Sequence, residues 1–419
     1  MRRVVITGLG FITSIGNTRA EVLRSLRENL TGIEIFSELQ KPNVPVKLAG
    51  TVKGFTFEGT RPEEWTIPAG YHITREQMRS MSPNAIFGFC AMQQAIADAR
   101  LAPELVSNPR TGAMCASGGS TWLTYEFIDV MIKKGVYRCY PLAMVASIPG
   151  TLNINLVACY AIKGASLGFA SACSSSAHAF GAAYDHIRLG RQDIVFAVGA
   201  EDCNYHSIVP FAGMRALTQK TDPSVAPCAF DKKRDGFAVT GGGAVLVLEE
   251  LEHAQRRGAP IYAEVLGWGE ASDGYSVMAP EPEGEGIARA MRVALEAANI
   301  KPSDVDYINA HATSTVAGDV AELRAIKKVF AGGKVPYVSS TKSLTGHGLS
   351  LAGAMEAAFC CLALKEKFTP VSANITELDP ECEGVPIVDK PVDFSPRIAI
   401  SNSSGFGGTN VVLVLKRWD

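Results

Sequence analysis

A chain of 419 residues, 47% of them hydrophobic, holds enough apolar material for one large domain or two similar ones, and this excludes a disordered polymer. Its 40 basic and 42 acidic residues leave a formal charge of -2, so no overall field draws it to nucleic acid or to an anionic membrane. Ten cysteines without a single CxxC pair argue against a disulfide framework or zinc site and read as reduced thiols of a cytoplasmic protein.

The opening "MRRVVITGLGFITSIG" has a superficial look of a signal peptide, but Thr7, Gly8 and Gly10 interrupt its apolar run. Its β-branched residues predict a buried first strand. No later segment has the unbroken apolar length of a bilayer span. "AMQQAIADARLAPELV" (91–106) predicts an amphipathic helix stopped by a proline, with "TGAMCAS" as the strand behind it. "SACSSSAHAF" (171–180) sets Cys173 among small residues at a helix start, and "GGGAVLVLEE" (241–250) reads as glycines followed by a buried strand. "AMRVALEAANIKPSDV" (290–305) is a second helix of the first kind, followed by the strand-like "VDYINAHAT" and a helix expected to begin near Gly318. "STKSLTGHGLSLAG" and "SNSSGFGGTN" are glycine-bearing loops, the latter ahead of the last strand.

Two of these segments repeat earlier ones. The helices share Ala91/Ala290, Met92/Met291, Ala95/Ala294, Ala99/Ala298, Pro103/Pro302 and Val106/Val305 at an offset of 199, and "GGGAVLVLEE" matches "GGTNVVLVLKR" at 167. Two matches in the same order indicate tandem copies of one α/β unit, the first longer by 32 residues. Between them, "CSSSAHAFGAAYDHIRLG" laid over "HGLSLAGAMEAAFCCLALKE" sets Cys173 opposite His347 at an offset of 174. Copies packed about a pseudo-twofold axis bring those two helix starts, and with them Cys173 and His347, into one site.

A cysteine of an apolar chain is most often a small hydrophobe. At a helix N-terminus, however, the dipole and unpaired N–H groups lower a thiol pKa, and the same N–H groups can hold an oxyanion. His311 follows a predicted strand, where sites of α/β sheets gather, and His347 lies between Gly346 and Gly348, which permit close backbone approach. His72, His178, His186, His206 and His253 have no such setting and read as structural. Lys342, if buried beside "SLTGH", needs an anionic partner, for which Glu322 and Asp319 are the candidates. "SNSSGFGGTN" lacks GxxxxGK[ST] and no helix follows it, so a mobile turn reaching the site fits better than a phosphate cradle.

With "RRVVITGLG", "SACSSSAHA", "FDKKRDGFAVTGGGAVLVLEELEHAQRRGAPIYAE", "NAHATST", "STKSLTGH" and "NSSGFGGTN" in this order, the chain resembles the β-ketoacyl-acyl carrier protein synthases of the thiolase fold over its whole length. "SAH" after the cysteine, "GGG" after "RDGFAV" and "TELDPECEGVPIV" look most similar to the bacterial type I synthase, with type II next. The resemblance implies a duplicated α/β fold of five layers, αβαβα, with two pseudo-twofold-related mixed sheets. Residues 1–255 form the half carrying the nucleophile, with an insertion at about 107–165 for the dimer contact and acyl pocket, and 256–419 form the half with both histidines. "MCASGGST" and "MVASIPGTLNI" supply the small and apolar residues that such a pocket needs.

The resemblance also implies roles for single residues. Cys173 takes the acyl chain as a thioester, and His311 and His347 hydrogen-bond the malonyl thioester and stabilise its enolate after decarboxylation. Backbone N–H groups of Cys173 and Phe406 form the oxyanion hole, and Phe406 gates the two half-reactions. Lys342 organises the histidines, paired with Glu322, while Thr313, Thr315, Gly405 and Gly407 bind substrate. No metal or organic cofactor is implied, because phosphopantetheine arrives on the carrier protein. The partners implied are an acyl carrier protein and a second copy of the chain, with no nucleic acid and no membrane. Arg75, Arg79, Lys133, Lys134 and Arg138 are the candidate carrier-docking residues.

Two positions depart from the family pattern: Ala312 replaces the usual glycine after the first histidine, and Glu76 stands where a lysine is common. Rival readings are a ketosynthase of a type II polyketide or aryl-polyene pathway and a non-catalytic partner of the chain-length-factor kind. Retention of Cys173 and both histidines speaks against the second. A degradative thiolase calls for a second cysteine near the C-terminal glycine loop, where none stands.

Overall fold

The run VVITGLGFI is buried at every position, as is GGAVLVLEE, so each has to be covered on both faces. A computed structural model, describing residues 1–419, shows how. Ten strands form one mixed sheet: β1 (Val4–Ile12), β2 (Thr111–Ala116), β3 (Ser166–Phe169), β4 (Ile194–Glu201), β5 (Gly242–Glu250), β6 (Ala263–Ser272), β7 (Tyr307–Asn309), β8 (Tyr337–Ser339), β9 (Ile398–Gly405) and β10 (Thr409–Arg417). Their order is β8-β7-β9-β10-β6-β1-β5-β4-β2-β3. Read outward from its centre, each half repeats the same sequence of strands.

The halves join where β1 and β6 pair antiparallel over only three residues, Val4↔Val265, Val5↔Glu264 and Ile6↔Ala263. The two expected sheets are therefore hydrogen-bonded edge to edge. A bulge interrupts β1 between Ile6 and Gly8, and another interrupts β6 between Val265 and Gly267, so even the irregularity is duplicated.

The principal helices are α1 (Pro83–Asp98), α2 (Thr121–Lys134), α3 (Thr151–Cys159), α4 (Ser175–Arg188), α5 (Tyr205–Gly213), α6 (Glu285–Ala297), α7 (Val316–Val329) and α8 (Ala352–Glu366). Alternation along the strands sorts them into layers. In β5, Ala244, Leu246 and Leu248 face a central core shared with α4, α8 and the inner face of the other half, whereas Val245 and Val247 face α1. In β10, Leu413 and Leu415 join the central core, and Val412 and Val414 pack toward α6 and α7. Five layers result. Glycine sets the closeness of the outer helices: a Cβ on Gly10 would fall 1.8 Å from the Ala91 carbonyl oxygen, and one on Gly269 2.3 Å from the Ala294 nitrogen.

Apart from Glu356, helix α8 is apolar on every side and buried from Ala352 to Leu364, as expected of a helix enclosed between two sheet halves. It crosses α4 where Gly353 meets Ala177; a Cβ there would lie 2.5 Å from the Ala177 nitrogen.

This crossing corrects the alignment of the two inner segments. The 3-10 turns Ala172–Ser174 and Leu349–Leu351, the helix starts Ser175 and Ala352, and the left-handed residues Ala172 (φ 50°) and Leu349 (φ 51°) all match at an offset of 177, not 174. The counterpart of Cys173 is Ser350, and His347 lies three residues ahead of it. Strings of small residues carry too little side-chain information to fix register, whereas backbone dihedrals do. The offset of 167 between the last strands holds, from Gly242 to Thr409. Helix α7 starts at Val316, two residues before the expected Gly318. All ten cysteines are free, and no helix is long and apolar enough to cross a membrane.

Candidate active site

Cys173 occupies the 3-10 turn between β3 and α4. Ala172, just before it, adopts φ 50°, a conformation uncommon for a residue with a Cβ. Short hydroxyl bonds hold this turn: Ser174 Oγ donates to the Ser171 carbonyl at 2.8 Å, Ser175 Oγ to the Ala172 carbonyl at 2.6 Å, and Ser171 N to Ser175 Oγ at 2.8 Å. The small residues of "SACSSS" are thus the ties of a strained turn. The β9–β10 hairpin docks on it, with Thr409 Oγ1 within 3.0 Å of Ser174 Oγ and Gly405 so close that a Cβ would lie 2.5 Å from the Ser171 oxygen.

The expected lowering of the thiol pKa by the helix N-terminus is not what the site does. Burial pushes the Cys173 thiol up to about 12, outweighing the pull of the Lys342 ammonium, and Glu201 and Glu356 oppose ionisation further. The resting sulfur is a thiol.

His311 and His347 stand edge to face with ring centroids 5.3 Å apart. His347 is fixed through its backbone: its N–H donates to the Ala238 carbonyl at 2.7 Å, its carbonyl accepts from Thr240 N at 3.0 Å, and its ring abuts Phe237. His311 is fixed by Glu322, whose two oxygens accept from His311 N at 2.9 Å and Ala312 N at 2.7 Å, with Asn402 Nδ2 donating to the same carboxylate. Burial, reinforced by the Lys342 charge, holds both imidazoles well below the usual histidine range, so both are neutral at pH 7.

Glu322 is therefore not the ion-pair partner of Lys342, and neither is Asp319, which pairs with Arg234 at 3.3 Å. Lys342 Nζ lies 2.5 Å from Glu356 Oε1, both side chains all but inaccessible to water. The reason is positional. Helix α7 runs behind the His311 loop and spends Glu322 and Asp319 on that loop's N–H groups, Asp319 accepting from Ser314 N at 3.1 Å. Sequence reasoning missed Glu356, although its signal was present: it is the one ionisable acid in the otherwise apolar stretch 352–364. Asn309 Oδ1, Ser401 Oγ and Ser403 Oγ are buried without hydrogen-bond partners.

Cys173, His311 and His347 line one cleft of about 400 Å³, together with Thr313, Thr315, Gly405 and Phe406. Of the expected substrate-binding residues, Gly407 is absent from this lining and Gly408 takes its place. Gly407 is bound instead to the neighbouring loop, its N–H donating to the Val277 carbonyl at 2.8 Å. The methyl of Ala312 points into the outer core with Ile308 and Leu323, so this departure adds nothing to the cleft.

A second cavity of about 320 Å³ opens beside the same sulfur, lined by Ser117, Gly118, Thr121, Pro149, Glu201 and Leu349 among others. Cys173, Phe211 and Phe406 belong to both cavities, and the two phenyl rings are 6.4 Å apart. Phe406, on the β9–β10 turn and 37% exposed, stands at the boundary between them. Nothing in the sequence pointed to Glu201. It is fully buried, accepts from Ser350 Oγ and Gly118 N, and burial pushes its carboxyl up to about 7.

The sequence matches "Beta-ketoacyl synthase, N-terminal domain" over residues 1–254 and "Beta-ketoacyl synthase, C-terminal domain" over 262–376. It is 43% identical over 424 residues to 3-oxoacyl-[acyl-carrier-protein] synthase 1 of Haemophilus influenzae, a match covering the whole of both chains. The chain belongs to the β-ketoacyl synthase family. Among solved structures, this synthase is similar to a β-ketoacyl synthase from Burkholderia phymatum, with a TM-score of 0.91 at 33% identity and full coverage of both chains. It is also similar, at a TM-score of 0.88 and 27% identity with the same coverage, to a ketosynthase seen in complex with a type II polyketide-synthase acyl carrier protein.

The five candidate docking residues of the synthase are all exposed and lie apart from the cleft lining. Arg79 Nε donates to the Tyr140 hydroxyl at 3.2 Å, which ties the Arg75–Met78 helix to the segment carrying Arg138. Lys133 is paired with Asp129 one turn away on α2.

Proposed function

We infer that this synthase catalyses the decarboxylating Claisen condensation of acyl and malonyl carrier-protein thioesters in fatty acid elongation. One observation carries the reading: a single sulfur and two neutral imidazoles line one cleft, while a separate cavity opens beside that sulfur.

In the first half-reaction Cys173 Sγ attacks the acyl thioester. The new C–S bond forms at Cys173, the bond to the carrier arm breaks, and the thiol proton leaves with the carrier thiol. The chain then occupies the 320 Å³ cavity and the malonyl thioester enters the 400 Å³ cleft. Cleavage of the C–C bond releases carbon dioxide and leaves its electron pair as an enolate, whose oxygen accepts from His311 and His347. Because the pair comes from the broken bond, the site needs donors and no strong base. The enolate carbon attacks the acyl carbonyl, the oxyanion resting on the N–H groups of Cys173 and Phe406, and the Cys173 thiolate departs and regains a proton.

No metal or organic cofactor enters these steps, since the phosphopantetheine arm comes with the carrier. Arg75, Arg79, Lys133, Lys134 and Arg138 meet the acidic carrier protein in this reading. A second copy covers the face where Tyr125, Ile132, Val136, Tyr137 and Met144 are exposed, beside the unpaired edge of β3.

The experiment is mass spectrometry of the protein after incubation with a saturated acyl carrier-protein thioester. One acyl adduct, on the peptide carrying Cys173, is expected. An adduct on another cysteine, or none while a polyketide-like acyl carrier is accepted, overturns the assignment.

A further inference from the structure

Cys173 is aimed by a turn that the second half of the molecule helps to hold. Ser171, two residues ahead of the sulfur, spends its N–H on Ser175 Oγ and its carbonyl on Ser174 Oγ, and Thr409 Oγ1 of β10 donates to the same carbonyl at 3.3 Å. Its hydroxyl points out of the turn. Ser171 Oγ lies 2.7 Å from Nδ1 of His178, in the first turn of α4, and Nε2 of that ring lies 3.1 Å from Glu270 Oε2 on β6. Trp268, also on β6, meets the imidazole edge to face at 6.3 Å.

Carboxylate, imidazole and serine thus form one polar chain that ends beside the nucleophile, and none of the condensation steps uses it. A carboxylate oxygen only accepts, so a ring with one proton carries it on Nε2 and leaves Nδ1 to accept from the Ser171 hydroxyl. Glu270 chooses the tautomer, and the tautomer fixes the serine. That matters because the next residue, Ala172, is held at φ 50°, a conformation that persists only while its surroundings determine it. Strand β6 reaches this turn a second time, by pairing Ser272 with Thr409, whose hydroxyl touches both Ser174 and Ser171. The decarboxylating imidazoles have separate supports, Ala238 and Thr240 for His347 and Glu322 for His311.

We propose that His178 and Glu270 are positioning residues for acylation, acting through Ser171 on the turn that sets the Cys173 sulfur and N–H. The proposal rests on the condensing activity inferred above. The Glu270 side chain is 58% exposed, so water replaces it in part, whereas nothing replaces the ring that joins it to Ser171. The larger effect therefore belongs to His178.

The test follows two rates in the same preparation: acylation of Cys173 by a saturated acyl carrier-protein thioester, read by mass spectrometry of quenched samples, and release of carbon dioxide from the malonyl carrier thioester. The ratio of the first to the second is unaffected by partial loss of folded enzyme. His178→Ala should lower it about tenfold, the scale of a small misplacement of a reacting group. Glu270→Ala should lower it about threefold, as befits an exposed partner. His178→Asn, whose amide oxygen takes the place of Nδ1, should recover most of the loss. Ser171→Ala should match His178→Ala, and the double variant should fall no further. Equal loss of both rates in His178→Ala, or loss of neither, makes the chain a structural tie and overturns the proposal. Additive losses in the double variant overturn the route through Ser171. Wild type that gains no acyl group on Cys173 overturns the condensing activity itself, a result distinct from failure of the positioning role.

Discussion

Cys173→Gln should retain decarboxylation of the malonyl carrier thioester while condensation falls by about 10⁴-fold or more. The two reactions use different atoms. Condensation needs the sulfur to carry the acyl chain, whereas release of carbon dioxide needs only the donors that face the developing enolate, His311 and His347. His347→Ala should do the reverse and lower decarboxylation by about 10²–10³-fold, the loss that follows removal of one preorganised donor. Carbon dioxide release by both variants, followed with purified carrier thioester, separates the roles. Retained condensation in Cys173→Gln, or undiminished decarboxylation in His347→Ala, refutes the corresponding assignment.

The same assay has a pH signature. Both imidazoles are held well below 6.5 by burial and by Lys342, so decarboxylation by Cys173→Gln should be flat from about pH 8 down to about pH 6.5, and fall only further into acid. The sign for stability is the same. An unfolded chain takes up protons on these histidines near pH 6.5 while the folded one does not, so their contribution to folding is complete above that pH and declines as pH drops below it.

Much of this site was legible in the sequence because its residues sit at places with a local signature. Cys173 lies in a run of small residues and His347 between glycines, and the duplication predicted that the two would meet. What escaped was fixed by packing across the fold. Glu356 is assigned to Lys342 only because α8 threads between the sheet halves, and Glu322 is withdrawn from that role only because α7 turns it toward the N–H groups of the His311 loop. Glu201 acquires its setting from a cavity wall assembled from segments that range from Ser117 to Phe406, and no periodicity of sequence records such a wall. The fold followed the same rule. Repeated strands and outer helices announced themselves by period and identity, while the register of the inner helices depended on backbone dihedrals that small residues do not encode.

Glu356→Leu is expected to destabilise the protein by about 3–5 kcal/mol, because it leaves the Lys342 ammonium buried without its counter-charge. Lys342→Met alone should cost less, because the Glu356 carboxyl can neutralise itself. Its burial already pushes that group up to about 7 despite the ammonium beside it, so without the lysine it takes a proton rather than remain charged. Combining Lys342→Met with Glu356→Leu removes both charges and should recover most of the lost stability, since well-packed apolar side chains replace a buried pair at little cost. Activity should not recover with it. The Lys342 charge acts on Cys173, His311 and His347 alike, pulling the thiol pKa down and adding to burial, the larger cause, in lowering both imidazoles, and the double variant lacks that charge. Denaturant unfolding and carbon dioxide release measured on the same four proteins separate the two effects through a double-mutant cycle. If the stable double variant decarboxylates as fast as wild type, the pair is a packing device only, and Lys342 has no part in organising the histidines.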